Sequence, residues 1–332
     1  MSSLSRMYVL LSVAYALIII MMLILIRLWF SSFFDCIQMI IRERDDELYV
    51  IMELLDTDLH RIIQSSQALG DAHFKHFMFQ LLRGLRFTHR AGVIHRDLKP
   101  ANLLVTKNCD LRISDFGLSR LLPEEHATSK AMTEHVVTRW YRPPELMLNA
   151  DGNYDETIDV WSCGCIFAEL LGRKALFPGK DFMHQLQLIF NVIGTPPKEE
   201  LEYVKSEQAL KFMEGLAHKR KTPWNELYPD ANPKALDLLD KMLAFHPSNR
   251  IGIDDAIAHP YFDSVRSQYS LDEPELAAEF EFSFEYKKEL RVEDYRRLII
   301  EEAKSFKQER LNEASARRNS RRRSSGASTE NK

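Results

Sequence analysis

The stretch HRDLKPAN at His95–Asn102, followed by DFG at Asp115–Gly117, decides how the rest of this chain is read. Further on stand PPE at Pro143–Glu145 and DVWS at Asp159–Ser162. Each string alone is short enough to arise by chance; their order and spacing together are not. The residue types suit phosphoryl transfer, where catalysis is mostly positioning and charge stabilisation. Asp97 is the candidate to orient a hydroxyl and accept its proton, and Lys99 to neutralise charge on the transferring group. Asn102 and Asp115 offer hard oxygen ligands to Mg²⁺ from two separate loops. His95 suits packing and hydrogen bonding better than proton transfer. Arg96 suits gripping a phosphate on a neighbouring segment.

The whole chain bounds the alternatives. It has 332 residues, 45% of them hydrophobic, enough for one large domain or two modest ones, which excludes pervasive disorder and a disulfide scaffold. A net charge of -4 argues against a generic nucleic-acid binder. Four cysteines with no C-x-x-C pair point to a reducing compartment and away from structural zinc.

Composition shifts along the chain mark its segments. Residues 7–26 form an uncharged apolar run of bilayer-spanning length, followed by Arg27 and Trp29, which suit a membrane interface. Residues 1–34 are therefore expected to carry a transmembrane helix, with the bulk of the chain on the cytoplasmic side. Cys36–Ile41 and Leu48–Glu53 are short apolar runs around a charged stretch and read as a β-hairpin. Beyond Asp56 the apolar spacing turns helical, at Leu59, Ile62, Ile63 and then Phe74, Phe77, Met78, Leu81, Leu82 and Leu85. The expected division is a partial catalytic domain over 35–262, an extension packed on it over 263–310, and a basic tail over 311–332. That tail holds five arginines within RRNSRRR at 317–323, with serines around them. It reads as a disordered electrostatic handle, compatible with nuclear targeting, or as a merely solvated end.

Taken together, the motifs are those of a protein kinase, and from Glu47 to about Gln308 the chain resembles the mitogen-activated protein kinases. The resemblance is carried by ELYVIMELLDTDLHRII, GVIHRDLKPANLLV, LRISDFGLSR, VVTRWYRPPEL, GRKALFPGKD and NPKALDLLDKMLAFHPSNR. It implies an α+β, kinase-like fold with a mainly α-helical C-lobe and a residual β-hairpin of the N-lobe, to which the apolar run adds an N-terminal hydrophobic helix. It also implies transfer of the ATP γ-phosphate to Ser or Thr, with Mg²⁺, on Ser/Thr-Pro sites of protein substrates. Met52 would be the gatekeeper beside the adenine, Glu53 and Leu55 the hinge, Asp58 the ribose neighbour and Leu104 the floor under the base. Asp159 would brace the catalytic loop, and Glu145 would pair with Arg250 in a buried ion pair. Arg142 and the loop from Val136 to Arg139 would shape the proline-selecting site.

The sequence also departs from the family. Its activation lip reads Thr133-Glu134-His135, so a second phosphate on tyrosine has no acceptor there. Phosphorylation of Thr133 alone, met by Arg96 and Arg120, is the expected switch, although Arg139 and Arg142 resemble the family's phosphotyrosine partners. Asp272 and Glu273 match an acidic docking site for basic peptides and an upstream MAP kinase kinase, but Tyr269 stands where a further acid is expected. The first glycine is Gly70 and the first lysine Lys75, so neither a Gly-rich phosphate loop nor a strand lysine lies ahead of the hinge in this sequence. Three readings follow: an incomplete or mis-spliced form of an active kinase, a catalytically dead membrane-tethered docking protein, or an enzyme with a substitute for the lysine. The first is preferred because the apolar run abuts the kinase-like region without a spacer.

Overall fold

The computed structural model describes residues 9–10, 38–42, 47–51, 54–121, 138–148 and 155–269, with isolated helical positions at 294, 297, 298, 300, 301, 304 and 308. The chain divides into two units, one of Met1–Leu54 with Glu281–Lys332 and one of Leu55–Phe280.

In the first unit, β1 (Val9–Leu10), β2 (Gln38–Arg42) and β3 (Glu47–Ile51) form an antiparallel sheet in the order β1-β3-β2. The expected hairpin is there, with Arg42 opposite Glu47 and Gln38 opposite Ile51. The hydrophobic helix expected over 7–26 is corrected at its start. Val9 and Leu10 pair with Val50 and Tyr49 as a strand, and residues 11–26 lie outside the described ones. A β-branched or aliphatic run satisfies a strand as readily as a helix, and apolarity alone does not choose between them. Among the described residues, no helix is long and apolar enough to cross a membrane.

The second unit is mainly helical. A short strand β4 (Thr57–Asp58) leads directly into α1 (Leu59–Gln64), and α2 (Asp71–Arg90) follows. Next come β5 (Val93–Ile94), β6 (Leu103–Val105), β7 (Leu111–Ile113) and β8 (Arg120–Leu121). The remaining helices are α3 (Glu145–Leu148), α4 (Thr157–Gly172), α5 (Phe182–Ile193), α6 (Glu207–Glu214), α7 (Trp224–Leu227), α8 (Pro233–Met242), α9 (Ile253–Ala258) and α10 (Asp263–Arg266). The strands form two small antiparallel sheets, β4-β6-β7 and β5-β8. These two- and three-residue strands are too short to leave a period-2 signal in the sequence.

α4 is the axis of this unit. Residues Ile158 to Leu170 are buried without interruption, as expected of a helix that is apolar on every side. It packs against α2 and α8, with Trp161 and Phe167 fully buried. Gly164 is required there, because a Cβ would lie 2.7 Å from the Leu243 side chain. One buried ion pair in this core is fully matched. The Arg250 guanidinium grips Glu145 with two bonds of 2.7 and 3.0 Å and also donates to the Thr157 and Phe245 carbonyls. That is the buried pair implied by the sequence, and it ties α3 to the segment after α8.

Candidate active site

The catalytic stretch is held by one buried carboxylate. Asp159, in the first turn of α4, accepts the backbone N–H of His95 at 2.8 Å and of Arg96 at 2.9 Å. The His89 ring Nε2 lies 2.9 Å from the same group. Burial works against ionisation of Asp159, but the hydrogen bond and charge of His89, together with His95, outweigh it and hold the carboxyl below its usual range. The grip has a structural purpose: Arg96 sits at φ 68, a left-handed conformation that a side chain adopts only under constraint.

From that anchor the loop presents its chemistry. Lys99 Nζ lies 2.6 Å from Asp97 Oδ2. Asn102 Nδ2 donates to the Asp97 carbonyl at 2.9 Å and to its carboxylate at 3.2 Å. The amide nitrogen being so engaged, the oxygen of Asn102 is the atom turned to other partners. His95 is fully buried and burial lowers its pKa, so it is neutral. Its Nδ1 accepts from the Asp97 N–H and its Nε2 donates to the Ser114 carbonyl at 3.1 Å. His95 is therefore a structural link between the two motifs, as its residue type suggested.

β7 leads through Ser114 into the second motif. Ser114 donates from both N–H and hydroxyl to the Asn102 carbonyl, at 2.8 and 2.9 Å, which stitches Asp115 beside the catalytic loop. Asp115 has φ 61 and accepts the Gly117 N–H; a Cβ on Gly117 would meet that oxygen at 2.8 Å. Phe116 is buried against the His95 ring, centroids 4.7 Å apart. Asn102 and Asp115 are thus joined through Ser114 while each keeps a carboxylate or amide oxygen, the donor set Mg²⁺ takes when phosphates supply further ligands. Among the described residues no group of three or more His, Cys, Asp or Glu forms a protein-only metal cage.

Asp58 pairs with Leu104 across β4 and β6 and caps α1 by accepting the Arg61 N–H at 2.9 Å. Leu55 belongs to the same unit, while Met52 and Glu53 lie outside the described residues. A pocket is lined by Arg96, Asp97, Thr138, Tyr141, Arg142 and Pro143, among others. Arg142, expected to shape substrate choice, is buried in that lining. Arg139 points elsewhere, donating to the Lys180 carbonyl at 3.0 Å and stacking on Phe182. Arg120, in β8 opposite Ile94, donates to the Ser119 carbonyl. Thr133, Asp272 and Glu273 lie outside the described residues. Tyr269, in place of the expected acid, packs tilted against Phe79 with its hydroxyl 2.5 Å from His76 Nδ1. Burial raises the Tyr269 hydroxyl to about 12.

Two contributors had no motif to announce them. His89, in the last turn of α2, reaches Asp159 across the fold. Glu169, ten positions along α4 from Asp159, accepts the Tyr141 hydroxyl at 2.7 Å. Burial lifts the Glu169 carboxyl above its usual range against the pull of that hydroxyl. The Tyr141 carbonyl in turn accepts the Ser162 hydroxyl at 2.8 Å, so α4 fixes the floor of the pocket from below. In sequence each is an ordinary polar residue on a helix.

A carboxylate, a lysine and two Mg²⁺-type oxygens in two loops braced from one buried aspartate define a protein kinase, and the comparisons agree. The protein kinase domain model matches residues 31–262. Among curated proteins the chain is 46% identical over 273 residues to mitogen-activated protein kinase 13 of Arabidopsis thaliana, covering 82% of this chain and 73% of that protein. It is 49% identical over 251 residues to mitogen-activated protein kinase 4a of Physcomitrium patens, covering 76% and 65%. With mitogen-activated protein kinase 7 of Arabidopsis thaliana it shares 54% over 215 residues, 65% of this chain and 57% of that protein. The chain belongs to the mitogen-activated protein kinases, a family of Ser/Thr protein kinases, and the matches span between somewhat over half and about three quarters of those relatives.

Proposed function

We propose that this chain transfers the ATP γ-phosphate to Ser or Thr followed by proline in protein substrates of intracellular signalling. The observation that carries the reading is the convergence on Asp97 of Lys99 at 2.6 Å and Asn102 at 3.2 Å, with a pocket opening beside the same carboxylate. Bound Mg-ATP supplies the phosphoryl group and the counter-charge of its metal. Asp97 orients the substrate hydroxyl and takes its proton, and the Lys99 ammonium beside it holds positive charge where negative charge develops. Asn102 and Asp115 would hold the metal, Asp58, Leu55 and Leu104 the nucleoside, and Met52 and Glu53 would complete that edge. The pocket beside Tyr141 and Arg142 would select the residue after the acceptor. Phosphorylation of Thr133 by an upstream MAP kinase kinase would recruit Arg96 and Arg120, and Asp272 and Glu273 would receive basic docking peptides.

The test is a phosphorylation assay of the full chain with Mg-ATP and paired peptides, Ser-Pro against Ser-Ala. The Ser-Pro peptide should be preferred, and Asp97→Asn should lower kcat by about 10²–10⁴-fold. Equal rates on both peptides would remove the proline rule. Activity surviving Asp97→Asn would remove the mechanism, and an unaltered rate in Thr133→Ala would remove the single-site switch.

A further inference from the structure

α4 stops on a left-handed residue, a common helix ending that glycine or asparagine usually supplies. Arg173 is at φ 58, a left-handed position that favours glycine, although Gly172 stands immediately before it. Gly172 is needed for another reason, since a Cβ there would lie 2.8 Å from the Tyr228 ring. The Arg173 guanidinium lies at the C-terminal end of α1. It donates to the carbonyls of Ile62 at 3.4 Å, Ser65 at 2.7 Å and Gln67 at 2.6 Å. The Ile62 carbonyl, inside a helix only six residues long, already accepts the Ser65 N–H and hydroxyl, so Arg173 reinforces that cap and ties the carbonyls just beyond the helix, those of Ser65 and Gln67, to the end of α4.

That short helix is the mount for Asp58. Asp58 caps α1 and is paired to Leu104 in the β4–β6 ladder, and α1 also packs on the 3-10 turn Pro100–Asn102. An isolated helix of this length is unstable, so its pose depends on what pins its two ends. We propose that Arg173 is a positioning residue for nucleotide binding, acting from α4 through α1 on Asp58. This rests on the reading of Asp58 as the ribose neighbour given above. A forked, always-charged guanidinium suits three divergent carbonyls where an ammonium on a flexible stem reaches one or two.

Three variants test this. Arg173→Gly relaxes the left-handed backbone while removing the guanidinium, so an effect reports the side chain. It should raise KM for Mg-ATP about fivefold or more, leaving the peptide KM and the melting temperature nearly unchanged, and Arg173→Lys should recover part of that loss. In the Asp58→Ala background, Arg173→Gly should add little, because both act through one carboxylate. Amide hydrogen exchange of the full chain should speed up in 59–67 and stay unchanged in 157–170. An unaltered KM for Mg-ATP, a full additional effect in the Asp58→Ala background, or unaltered exchange in 59–67 would each overturn the proposal. A wild-type chain that fails to bind Mg-ATP would refute the kinase reading and with it the nucleotide role, while the exchange comparison still decides whether Arg173 holds α1.

Discussion

Replacing Asp159 by asparagine exposes how the catalytic loop is held. The carboxylate offers Oδ2 to His89 Nε2 and the His95 N–H, and Oδ1 to the Arg96 N–H. A carboxamide has one oxygen, so whichever way it turns, its NH₂ faces a backbone N–H donor that it cannot satisfy. The site is fully buried, with no solvent to relieve the mismatch. An orphaned buried donor costs about 1–3 kcal/mol, and losing a charge-assisted bond about 1.5–3 kcal/mol. Together they give a loss of about 2.5–6 kcal/mol, a large share of the roughly 5–15 kcal/mol that holds a domain folded. The left-handed backbone of Arg96, no longer held, should relax as well, so activity should fall further than stability alone explains.

The assay is urea denaturation of wild type and Asp159→Asn across pH. The folded Asp159 carboxyl titrates below its usual range, so its contribution is present above the unfolded value of about 3.9 and is lost as pH falls toward the folded value. The gap between the two proteins should therefore be full at pH 7 and shrink below about pH 4. A loss under about 1 kcal/mol at pH 7, or a gap that does not shrink in acid, would refute the reasoning.

Other perturbations read other parts of the molecule. Arg250→Met should cost about 3–5 kcal/mol by stranding the Glu145 carboxylate, whereas Glu145→Met with Arg250→Met should cost less than the two single changes together; additive losses in thermal denaturation would count against the pair. Gly164→Ala should destabilise by about 1–3 kcal/mol through overlap with Leu243, seen as a lowered urea midpoint at unchanged slope. Burial keeps His95 neutral in the fold, while the unfolded chain takes up a proton below about pH 6.5, so stability should drop as pH falls from 7 to 5. His95→Gln should flatten that part of the profile, and an unchanged slope would show that His95 does not contribute.

The chemistry was legible in sequence because it is local. Asp97, Lys99 and Asn102 lie within one short loop, and a turn of that length brings a base, an ammonium and an amide together almost wherever it is placed. Asp115 was legible for the same reason, through Gly117, which alone leaves room for its carboxylate. The hairpin of β2 and β3 followed from its two apolar runs and charged turn. The strand at Val9–Leu10 did not, since an apolar stretch states that it is buried or paired and not in which backbone form.

What the tertiary structure decided is the support of that loop. Asp159 is far along the chain from His89 and Arg96, and only the packing of α2 on α4 turns them into one hydrogen-bonded anchor. The same holds for Tyr141 with Glu169 and for Arg173 with α1, where polar residues meet carbonyls or carboxylates across helices. Sequence determined which groups can do chemistry, because reactivity is written in residue type and short spacing. The fold decided which of them are held still, because burial and partner geometry exist only once distant segments meet.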